Sequence, residues 1–323
     1  MESRNPLLVV EDLSLEFRTR TGVVKALENV SFQIEKGQTV GVVGESGSGK
    51  SVMSYAIMGI SDPAARITSG RIVFGGISLF EKSQQELQEM RGRELSMIFQ
   101  SPRTALNPIR TIGRQLEDVI YRHSSFRGRQ IRARALDLLN QVRIPDPEKR
   151  YRAYPFELSG GMCQRVMIAI AISSNPWLLI ADEPVTGLDV TTQAVIMDLI
   201  QDAARERNMG TILITHDLGL AAEYCDKIIV MHSGHVVEVA DTEHLFMRPR
   251  HPYTAKLIGA TPNASRDLAE LSSIPGNLPD LRAELPACRY SERCERFARD
   301  CLESPLPRLG TGAGHLVACR YPL

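Results

Sequence analysis

The residues with the clearest chemical potential form one short loop, Gly44-Glu45-Ser46-Gly47-Ser48-Gly49-Lys50-Ser51. The order G-x-x-x-x-G-K-S is the spacing of a loop that wraps the phosphates of a nucleotide. Its glycines allow backbone angles and close approaches that a β-carbon would block, so several N–H groups can converge on one anion. Lys50 adds positive charge for the β- and γ-phosphates, and the Ser51 hydroxyl can ligate Mg²⁺. This phosphate loop predicts binding of a nucleoside triphosphate.

The segments on either side of the phosphate loop have the character that such a loop needs. Residues 39–43 form a short apolar run typical of a buried strand, and residues 52–60 form an apolar stretch of helix length. A helix that begins here would direct its N-terminal N–H groups at the phosphates. A Gly/Ser-rich turn that matched by chance would have no reason to carry both flanks. We therefore favour the phosphate-binding interpretation.

Two carboxylates follow a second apolar run, residues 177–181, which predicts another buried strand. Ligands of parallel sheets lie beyond the carboxyl ends of the strands. Asp182 is suited to hold Mg²⁺ together with Ser51, and Glu183 is suited to orient and deprotonate an attacking water. The alternative is a pair of solvated carboxylates at a strand end.

Three further side chains are candidates for contact with the nucleotide. His216 follows the apolar run 211–215 and could hydrogen-bond the γ-phosphate, although a lone histidine is more often structural. Gln100 follows another such run, and its amide could contact the metal or the water. Phe17 is a candidate platform for the base, because a flat ring can stack on adenine. An ordinary core aromatic is the alternative for Phe17.

A second anion site is predicted at Ser159-Gly160-Gly161, just before the apolar helical run 166–173. Free N–H groups and the positive end of the helix dipole would converge there. A plain N-cap by Ser159 would explain the same residues. Since one chain rarely needs two phosphate sites for one nucleotide, we expect this turn to close over nucleotide held by another subunit.

The elements that must position these residues predict an α/β fold with a largely parallel sheet, because strand-like and helical segments alternate. Residues 7–17 and 23–34 predict an antiparallel pair, and residues 66–77 a further pair of short strands. Between about residues 101 and 174 the apolar periodicity becomes helical, which predicts a helical insertion. After about residue 241 the pattern changes to a proline-rich, loop-rich tail.

Length and charge limit the class of protein. The 323 residues suit a nucleotide domain plus a smaller unit. Lys+Arg and Asp+Glu both total 38, and this zero net charge argues against a general nucleic-acid binder. No apolar run approaches the ~20 residues that span a bilayer, and residues 1–6 lack the apolar core of a signal peptide. We expect a cytoplasmic protein with thiols that are reduced or bound to metal.

Taken together, the motifs resemble the nucleotide-binding subunits of ABC transporters. The match covers about residues 7–240 and rests, in order, on the phosphate loop, Gln100, residues 158–161, residues 180–184, residues 188–189 and His216. The resemblance implies a P-loop NTPase of the ABC cassette type in residues 1–240. Such a cassette has a mostly parallel sheet, an antiparallel β subdomain and a helical subdomain, here at about residues 101–174.

The resemblance also implies how the site works. Two cassettes would pair head to tail, and each ATP would lie between one phosphate loop and the partner's Ser159-Gly160-Gly161 turn. Glu183 would be the general base, His216 would contact the γ-phosphate, and Asp189 would belong to the loop that communicates across the dimer. Gly187 is a departure, since the family usually has a small residue such as alanine there.

The tail, residues 241–323, resembles the C-terminal extension of oligopeptide and dipeptide importer ATPases. Residues 250–257 contain the His-Pro-Tyr-Thr stretch of that group. In some members the extension binds a [4Fe–4S] cluster through four cysteines, a suitable ligand set, and the matching residues here are Cys288, Cys294, Cys301 and Cys319. Zinc is the chemical competitor, although the spacing lacks the usual paired C-x₂₋₄-C, and unligated thiols are the third alternative. Cys163 and Cys225 are expected to be ordinary packed thiols.

The function implied by the resemblance is ATP hydrolysis that drives uptake of peptides or related small solutes. The chain would lie peripherally on the cytoplasmic face of the inner membrane. Its partners would be a related but non-identical ATPase, two transmembrane permease subunits and, indirectly, an extracytoplasmic solute-binding protein. The alternative is a soluble ABC-type ATPase that acts on nucleic acid or the ribosome. Those proteins usually carry two cassettes or a long coiled-coil insertion, and this chain has neither.

Overall fold

A computed structural model describes residues 6–261, 274–310 and 314–323. Residues 1–5, on which the signal-peptide argument partly rests, lie outside the described part. None of the helices in the described ranges has the length and apolar character that a membrane-spanning segment requires. The chain divides into two units: the first comprises Met1–Glu35, Thr39–Glu81 and Leu213–Leu323, and the second comprises Lys36–Gln38 and Lys82–Ile212.

The first unit contains a four-stranded antiparallel sheet. Its strands are β1 (Leu8–Thr19), β2 (Gly22–Ile34), β4 (Ala65–Phe74) and β5 (Ile77–Ser78), in the order β2-β1-β4-β5. Alternate residues of β1 are buried, as expected for a strand with one face on the core. Both pairs of strands predicted from the sequence are therefore present, and β1 extends two residues beyond its predicted end.

A parallel pair in the first unit leads into the phosphate loop. Strand β3 (Thr39–Val43) runs parallel to β9 (Lys227–His232), and β9 turns back into β10 (His235–Asp241). Helix α1 (Lys50–Met58) begins inside the phosphate loop, and α9 (Leu218–Tyr224) precedes β9. Four of the five residues of β3 are buried, which explains its unbroken apolar sequence.

The loop-rich tail contains several short regular elements. It forms α10 (Thr242–Met247), α11 (Pro252–Gly259), 3₁₀ turns at Ser291–Arg293 and Arg299–Leu302, and the strands β11 (Arg308–Gly310) and β12 (Leu316–Ala318). Strand β12 pairs antiparallel with β10, and β11 pairs with β12. The tail is loop-rich as predicted, and the short elements within it were not predicted. Strands of three residues are too short for a periodic signal, and the backbone groups at the edge of β10 provide the pairing that forms β12.

The second unit combines two parallel strands with the predicted helical insertion. Strands β6 (Leu95–Ile98) and β7 (Leu178–Asp182) pair in register from Leu95 and Leu178. Its helices are α2 (Gln84–Met90), α3 (Pro102–Ala105), α4 (Ile112–His123), α5 (Arg129–Gln141), α6 (Pro147–Tyr151), α7 (Gly160–Ile172) and α8 (Val190–Arg207), with a 3₁₀ turn at Pro155–Glu157. Strand β8 (Gly210–Ile214) contains the boundary between the two units.

The helical insertion packs as its periodicity predicted. Helices α4, α5 and α7 pack against one another. One face of α5 is buried, at Ile131, Ala135, Leu138 and Leu139, in keeping with the helical periodicity of this part of the sequence. Helix α2 was not predicted, although its start has a recognisable signal: Ser83 and Glu86 form a reciprocal capping box.

Candidate active site

The phosphate loop connects β3 to α1, as the sequence predicted. Gly44, Gly47 and Gly49 have φ angles of 151°, 80° and 98°. A Cβ added at Gly44 would lie 2.1 Å from the carbonyl oxygen of Met231, and one added at Gly49 would lie 2.9 Å from Leu27. The path of the loop therefore requires glycine at both positions, for backbone angle and for space.

Lys50 holds a positive charge within the loop. Its Nζ donates hydrogen bonds to the carbonyl oxygens of Gly44 at 2.8 Å and Glu45 at 3.0 Å. The residue is only 6% exposed, so its charge is directed at the loop and not at bulk solvent. Ser51 lies in the same first turn of α1, where the helix dipole favours anions and no acidic side chain opposes it. Of the three loop serines, Ser46 is exposed, Ser48 is buried and Ser51 is half-buried.

Glu45, the second residue of the loop, is held by two side chains of the tail. Its backbone N–H donates to the hydroxyl oxygen of Tyr253 at 3.0 Å. Its carboxylate accepts two hydrogen bonds from the guanidinium of Arg293, at 2.8 and 2.9 Å. Hydrogen bonding to the Glu45 carboxylate raises the pKa of Arg293 above its ordinary value. Sequence reasoning missed both partners, because no local pattern links residues that are more than 200 positions apart.

Within the second unit, the ends of β6 and β7 bring Gln100 and Glu183 together. Gln100 Nε2 donates to Glu183 Oε2 at 2.8 Å, and Thr186 Oγ1 donates to the same oxygen at 3.0 Å. Glu183 has a φ of 46°, a left-handed conformation that costs a non-glycine residue about 1 kcal/mol or more and that is concentrated at functional sites. Asp182, the last residue of β7, is 2% exposed. A carboxylate with a fixed orientation can align and deprotonate a water molecule.

The predicted second anion site lies at the start of α7. Ser159 is exposed and caps the helix, since its Oγ accepts a hydrogen bond from the Met162 N–H at 3.3 Å. A Cβ added at Gly160 would meet nothing within 4 Å, and one added at Gly161 would lie 3.5 Å from Thr192. The N-cap is therefore present, and the surroundings of Gly160 are open enough for a ligand to approach the helix end.

Asp189 caps the neighbouring helix, α8. Its carboxylate accepts hydrogen bonds from the Thr192 backbone N–H at 3.0 Å and from the Thr192 hydroxyl at 2.7 Å. These hydrogen bonds, that of the hydroxyl first, lower the pKa of Asp189. Gly187, where the sequence departs from the resembling family, has a φ of 78°, which glycine adopts without strain.

His216 follows strand β8, and Phe17 lies on strand β1. His216 is exposed two residues after the end of β8, and its neighbour Asp217 caps α9. Phe17 is half-buried on β1, where it pairs with Val24 on one side and Ala65 on the other. Contact of either side chain with a nucleotide stays a prediction.

The four cysteines of the tail line one pocket, together with His251 and Ser291: Cys288, Cys294, Cys301 and Cys319. All four are free thiols. Burial raises the pKa of Cys288 to about 12 and also raises the pKa values of Cys294 and Cys319. In the three described ranges, no group of three or more His, Cys, Asp or Glu side chains is arranged to hold a metal ion. Cys163 and Cys225 are buried, as expected of packed thiols.

A phosphate loop between a strand and a helix, with a buried carboxylate at the end of another strand, defines a P-loop nucleotide-binding protein. Comparisons with known proteins narrow this class. The ABC transporter family matches residues 27–186, and the oligopeptide/dipeptide transporter C-terminal region matches residues 237–301. The chain belongs to the ABC transporter family, as one of its ATP-binding cassette ATPases.

Curated relatives match almost the whole chain. The dipeptide transport ATP-binding protein DppD of Escherichia coli (strain K12) is 46% identical over 318 residues, which cover 98% of this chain and 97% of that protein. A putative peptide import ATP-binding protein of Brucella melitensis is 44% identical over 314 residues, which cover 97% of this chain and 94% of that protein.

Solved cassettes share the fold. The dimeric ATP-binding cassette MJ0796, in a post-hydrolysis state bound to ADP and Pi, has a TM-score of 0.66 and 28% identity, and covers 73% of this chain and 98% of its own. A second solved structure is that of cbiO1 from Clostridium perfringens, part of the ABC transporter complex cbiONQ. It has a TM-score of 0.63 and 26% identity, and the match covers 75% of this chain and 91% of cbiO1. The predicted ABC cassette fold is thereby confirmed.

Proposed function

We propose that this chain binds and hydrolyses ATP to drive the import of peptides or related small solutes through a membrane ABC transporter. The observation that carries the proposal is the near-full-length similarity to dipeptide and peptide import ATP-binding proteins. The described side chains supply the matching chemistry, with a fixed cation at the phosphate loop and an oriented carboxylate at Glu183.

Each residue of the site has a distinct role in this proposal. Lys50 and the loop N–H groups bind the phosphates. Glu183 accepts a proton from the attacking water, and Gln100 and Thr186 hold its carboxylate in place. The water oxygen bonds to the γ-phosphorus, the bond to the β–γ bridging oxygen breaks, and ADP and phosphate leave. Phe17 stacks on the adenine, and His216 contacts the γ-phosphate.

Magnesium fits the oxygen donors that the chain offers. Ser51 and Asp182 each carry an oxygen of the hard type that Mg²⁺ prefers, and the amide oxygen of Gln100 is a third candidate. When bound, Mg²⁺ neutralises charge on the β- and γ-phosphate oxygens. These three residues are the ones that would hold it.

The remaining site residues point to a dimer. Ser159, Gly160 and Gly161 would bind the γ-phosphate of ATP held by a second cassette, and Asp189 would communicate across the dimer. The open space around Gly160 supports this role. We infer that the second cassette is a related, non-identical chain.

The proposal places the chain on the cytoplasmic face of the inner membrane, against two permease subunits that receive solute from an extracytoplasmic binding protein. Residues 1–240 would form the cassette and residues 241–323 the importer-type extension. The alternative, a soluble ABC-type ATPase that acts on nucleic acid or the ribosome, is disfavoured by the zero net charge and by the peptide-import relatives.

For the tail we propose a [4Fe–4S] cluster held by Cys288, Cys294, Cys301 and Cys319. The four thiols share one pocket, and in such a cluster each cysteine binds a different iron. Zinc is the second candidate, but it needs all four sulfurs at about 2.3 Å from one ion. The spacing of the four cysteines also lacks the paired C-x₂₋₄-C that is usual for zinc, and this favours the cluster.

A buried donor at this pocket also supports a sulfur-rich ligand. His251 is 1% exposed, and its Nδ1 accepts a hydrogen bond from the Tyr253 N–H at 3.1 Å. Burial lowers the pKa of His251 to about 3, so the ring is neutral and its proton lies on Nε2. This Nε2 has no hydrogen-bond partner within residues 6–261, 274–310 and 314–323. A buried N–H donor without a partner is costly, and cluster sulfurs would accept from it.

The substitution Glu183→Gln tests the hydrolytic part of the proposal. In the assembled transporter we expect ATP binding to be retained and hydrolysis to fall by about 10²- to 10⁴-fold, the range for loss of a general base. Solute uptake into proteoliposomes should fall with it. Hydrolysis near the wild-type rate would remove Glu183 as the base, and hydrolysis without any solute uptake in the wild type would contradict the importer assignment.

A further inference from the structure

The tail reaches the phosphate loop through side chains that are themselves rigidly held. Arg293 has a side chain only 4% exposed, and its Nε donates to the carbonyl oxygen of Pro275 at 2.7 Å. Its other two nitrogens form the bidentate pair with Glu45. A guanidinium fixed in this way sets both the position and the orientation of the carboxylate that it binds.

Tyr253 provides a second contact to the same loop residue. It is fully buried, and it lies at the start of α11, which His251 caps. Its hydroxyl accepts the backbone N–H of Glu45. The loop backbone just after Gly44 is therefore fixed by α11, while the Glu45 side chain is fixed by Arg293.

A second buried arginine supports the far end of the loop. The side chain of Arg289 is only 1% exposed. Its guanidinium forms an ion pair with Glu28 and donates a hydrogen bond to the carbonyl oxygen of Ser233. The next residue, Gly234, donates its N–H to the carbonyl oxygen of Ser48 at 2.9 Å. The turn between β9 and β10 thus connects Arg289 to the loop.

The two arginines come from one short segment of the tail. Arg289 directly follows Cys288, and Arg293 directly precedes Cys294. Arg293 is the last residue of a 3₁₀ turn, Ser291–Arg293, that begins two residues after Arg289. The segment that carries two of the pocket cysteines is therefore the same segment that contacts the loop and its supporting turn.

We propose that Arg293 and Tyr253 are positioning residues for nucleotide binding: they hold Glu45 and thereby fix the phosphate loop in its binding conformation. The affinity of the chain for nucleotide then depends on the folded tail. The inference rests on the proposed binding of ATP at this loop. Glycine-rich loops have high conformational freedom, and ordering such a loop on binding weakens affinity unless it is already held in place.

The test measures binding of the fluorescent analogue MANT-ATP with Mg²⁺ to the purified full-length chain. We expect Arg293→Met to raise the Kd by about 10-fold or more, since it removes two charge-assisted hydrogen bonds. Tyr253→Phe should raise it by about 2- to 10-fold, the range for one neutral hydrogen bond. Arg293→Lys, which keeps the charge but not the bidentate geometry, should give an intermediate value.

The matched control is Lys256→Met, which breaks an exposed ion pair with Glu295 in the same tail. It should leave the Kd unchanged. A second measurement is the rise in melting temperature that saturating MgATP causes in each variant. It distinguishes a role in positioning the loop from a role in the general stability of the fold. A merely structural role would lower the melting temperature with and without nucleotide alike, whereas a positioning role also shrinks the nucleotide-induced rise.

Folded Arg293→Met and Tyr253→Phe variants with the wild-type Kd would overturn the inference. If Arg293→Met fails to fold, the two conservative variants decide, and wild-type Kd values in both would equally overturn it. Lys50→Ala distinguishes the two proposals. Loss of binding in Lys50→Ala with no effect of the tail variants refutes only the positioning role, while full binding in Lys50→Ala refutes ATP binding at this loop.

Discussion

The side-chain amide of Gln100 donates a hydrogen bond of 2.8 Å to the carboxylate of Glu183, across the ends of the neighbouring parallel strands β6 and β7. The two residues are 83 positions apart, and only strand pairing brings them together. Glu183 is further restrained by Thr186 and by its left-handed backbone. This carboxylate is therefore oriented before any substrate binds, as a general base requires.

Gln100→Ala should reduce the kcat of ATP hydrolysis in the assembled transporter by about 10-fold. The amide N–H positions Glu183, so its loss lowers the rate by roughly the value of one charge-assisted hydrogen bond. Loss of the amide oxygen as a candidate Mg²⁺ ligand would raise KM in addition. Steady-state ATPase kinetics would measure kcat and KM separately. The exposed Gln141→Ala is the control. A larger KM with an unchanged kcat would show that Gln100 acts in binding instead.

Lys50→Ala should weaken nucleotide binding by about 10-fold or more, because the ammonium supplies the charge-assisted hydrogen bonds to the phosphates. Isothermal titration of the purified chain with MgATP measures the change. Lys149→Ala, at an exposed site on α6, is the matched control and should bind as the wild type does. Equal affinities in the two variants would contradict the role of Lys50.

Protein purified without oxygen should be brown and should contain about four irons per chain. Cys301→Ser should lower the iron content and the melting temperature together, because a bound cluster links distant parts of the tail. Cys225→Ala replaces a buried thiol outside the pocket and should retain the iron. Zinc without iron in the wild type would assign the four cysteines to the competing metal.

Stability should fall as the pH is lowered from about 7 towards 3, in part because of His232. Burial first, and then the neighbouring Arg293, lowers the pKa of His232 to about 3, whereas an unfolded histidine has a pKa near 6.5. Between these values the unfolded chain binds a proton that the folded chain does not, so acid favours unfolding. Titration of His232 alone makes the free energy of unfolding about 2 kcal/mol smaller at pH 5 than at pH 8.

Urea unfolding at pH 8 and pH 5 would measure this contribution. His232→Gln removes the titrating group and should reduce the difference between the two free energies of unfolding. The exposed His244→Gln should preserve it. If the free energy of unfolding changes between pH 8 and pH 5 by the same amount in the wild type and in His232→Gln, other groups account for the change.

Sequence reasoning was most successful where chemistry depends on neighbours in the chain. The phosphate loop needs glycines, a lysine and a serine at fixed spacing between a strand and a helix, and all of these are local. The strands before Gln100 and Asp182 were also predicted, because buried parallel strands are continuously apolar. Short elements such as α2 and β12 were missed, since a few residues do not establish a period.

The sequence by itself determined the nucleotide loop, the candidate base and the family resemblance, because each depends on residue types at fixed spacing. Only the tertiary structure decided what holds that loop in place. Arg293 and Tyr253 reach Glu45 from more than 200 residues away, and their partners are chosen by burial and packing. A buried arginine must find a carboxylate or carbonyl oxygens, but nothing in its local sequence indicates which of them it will meet.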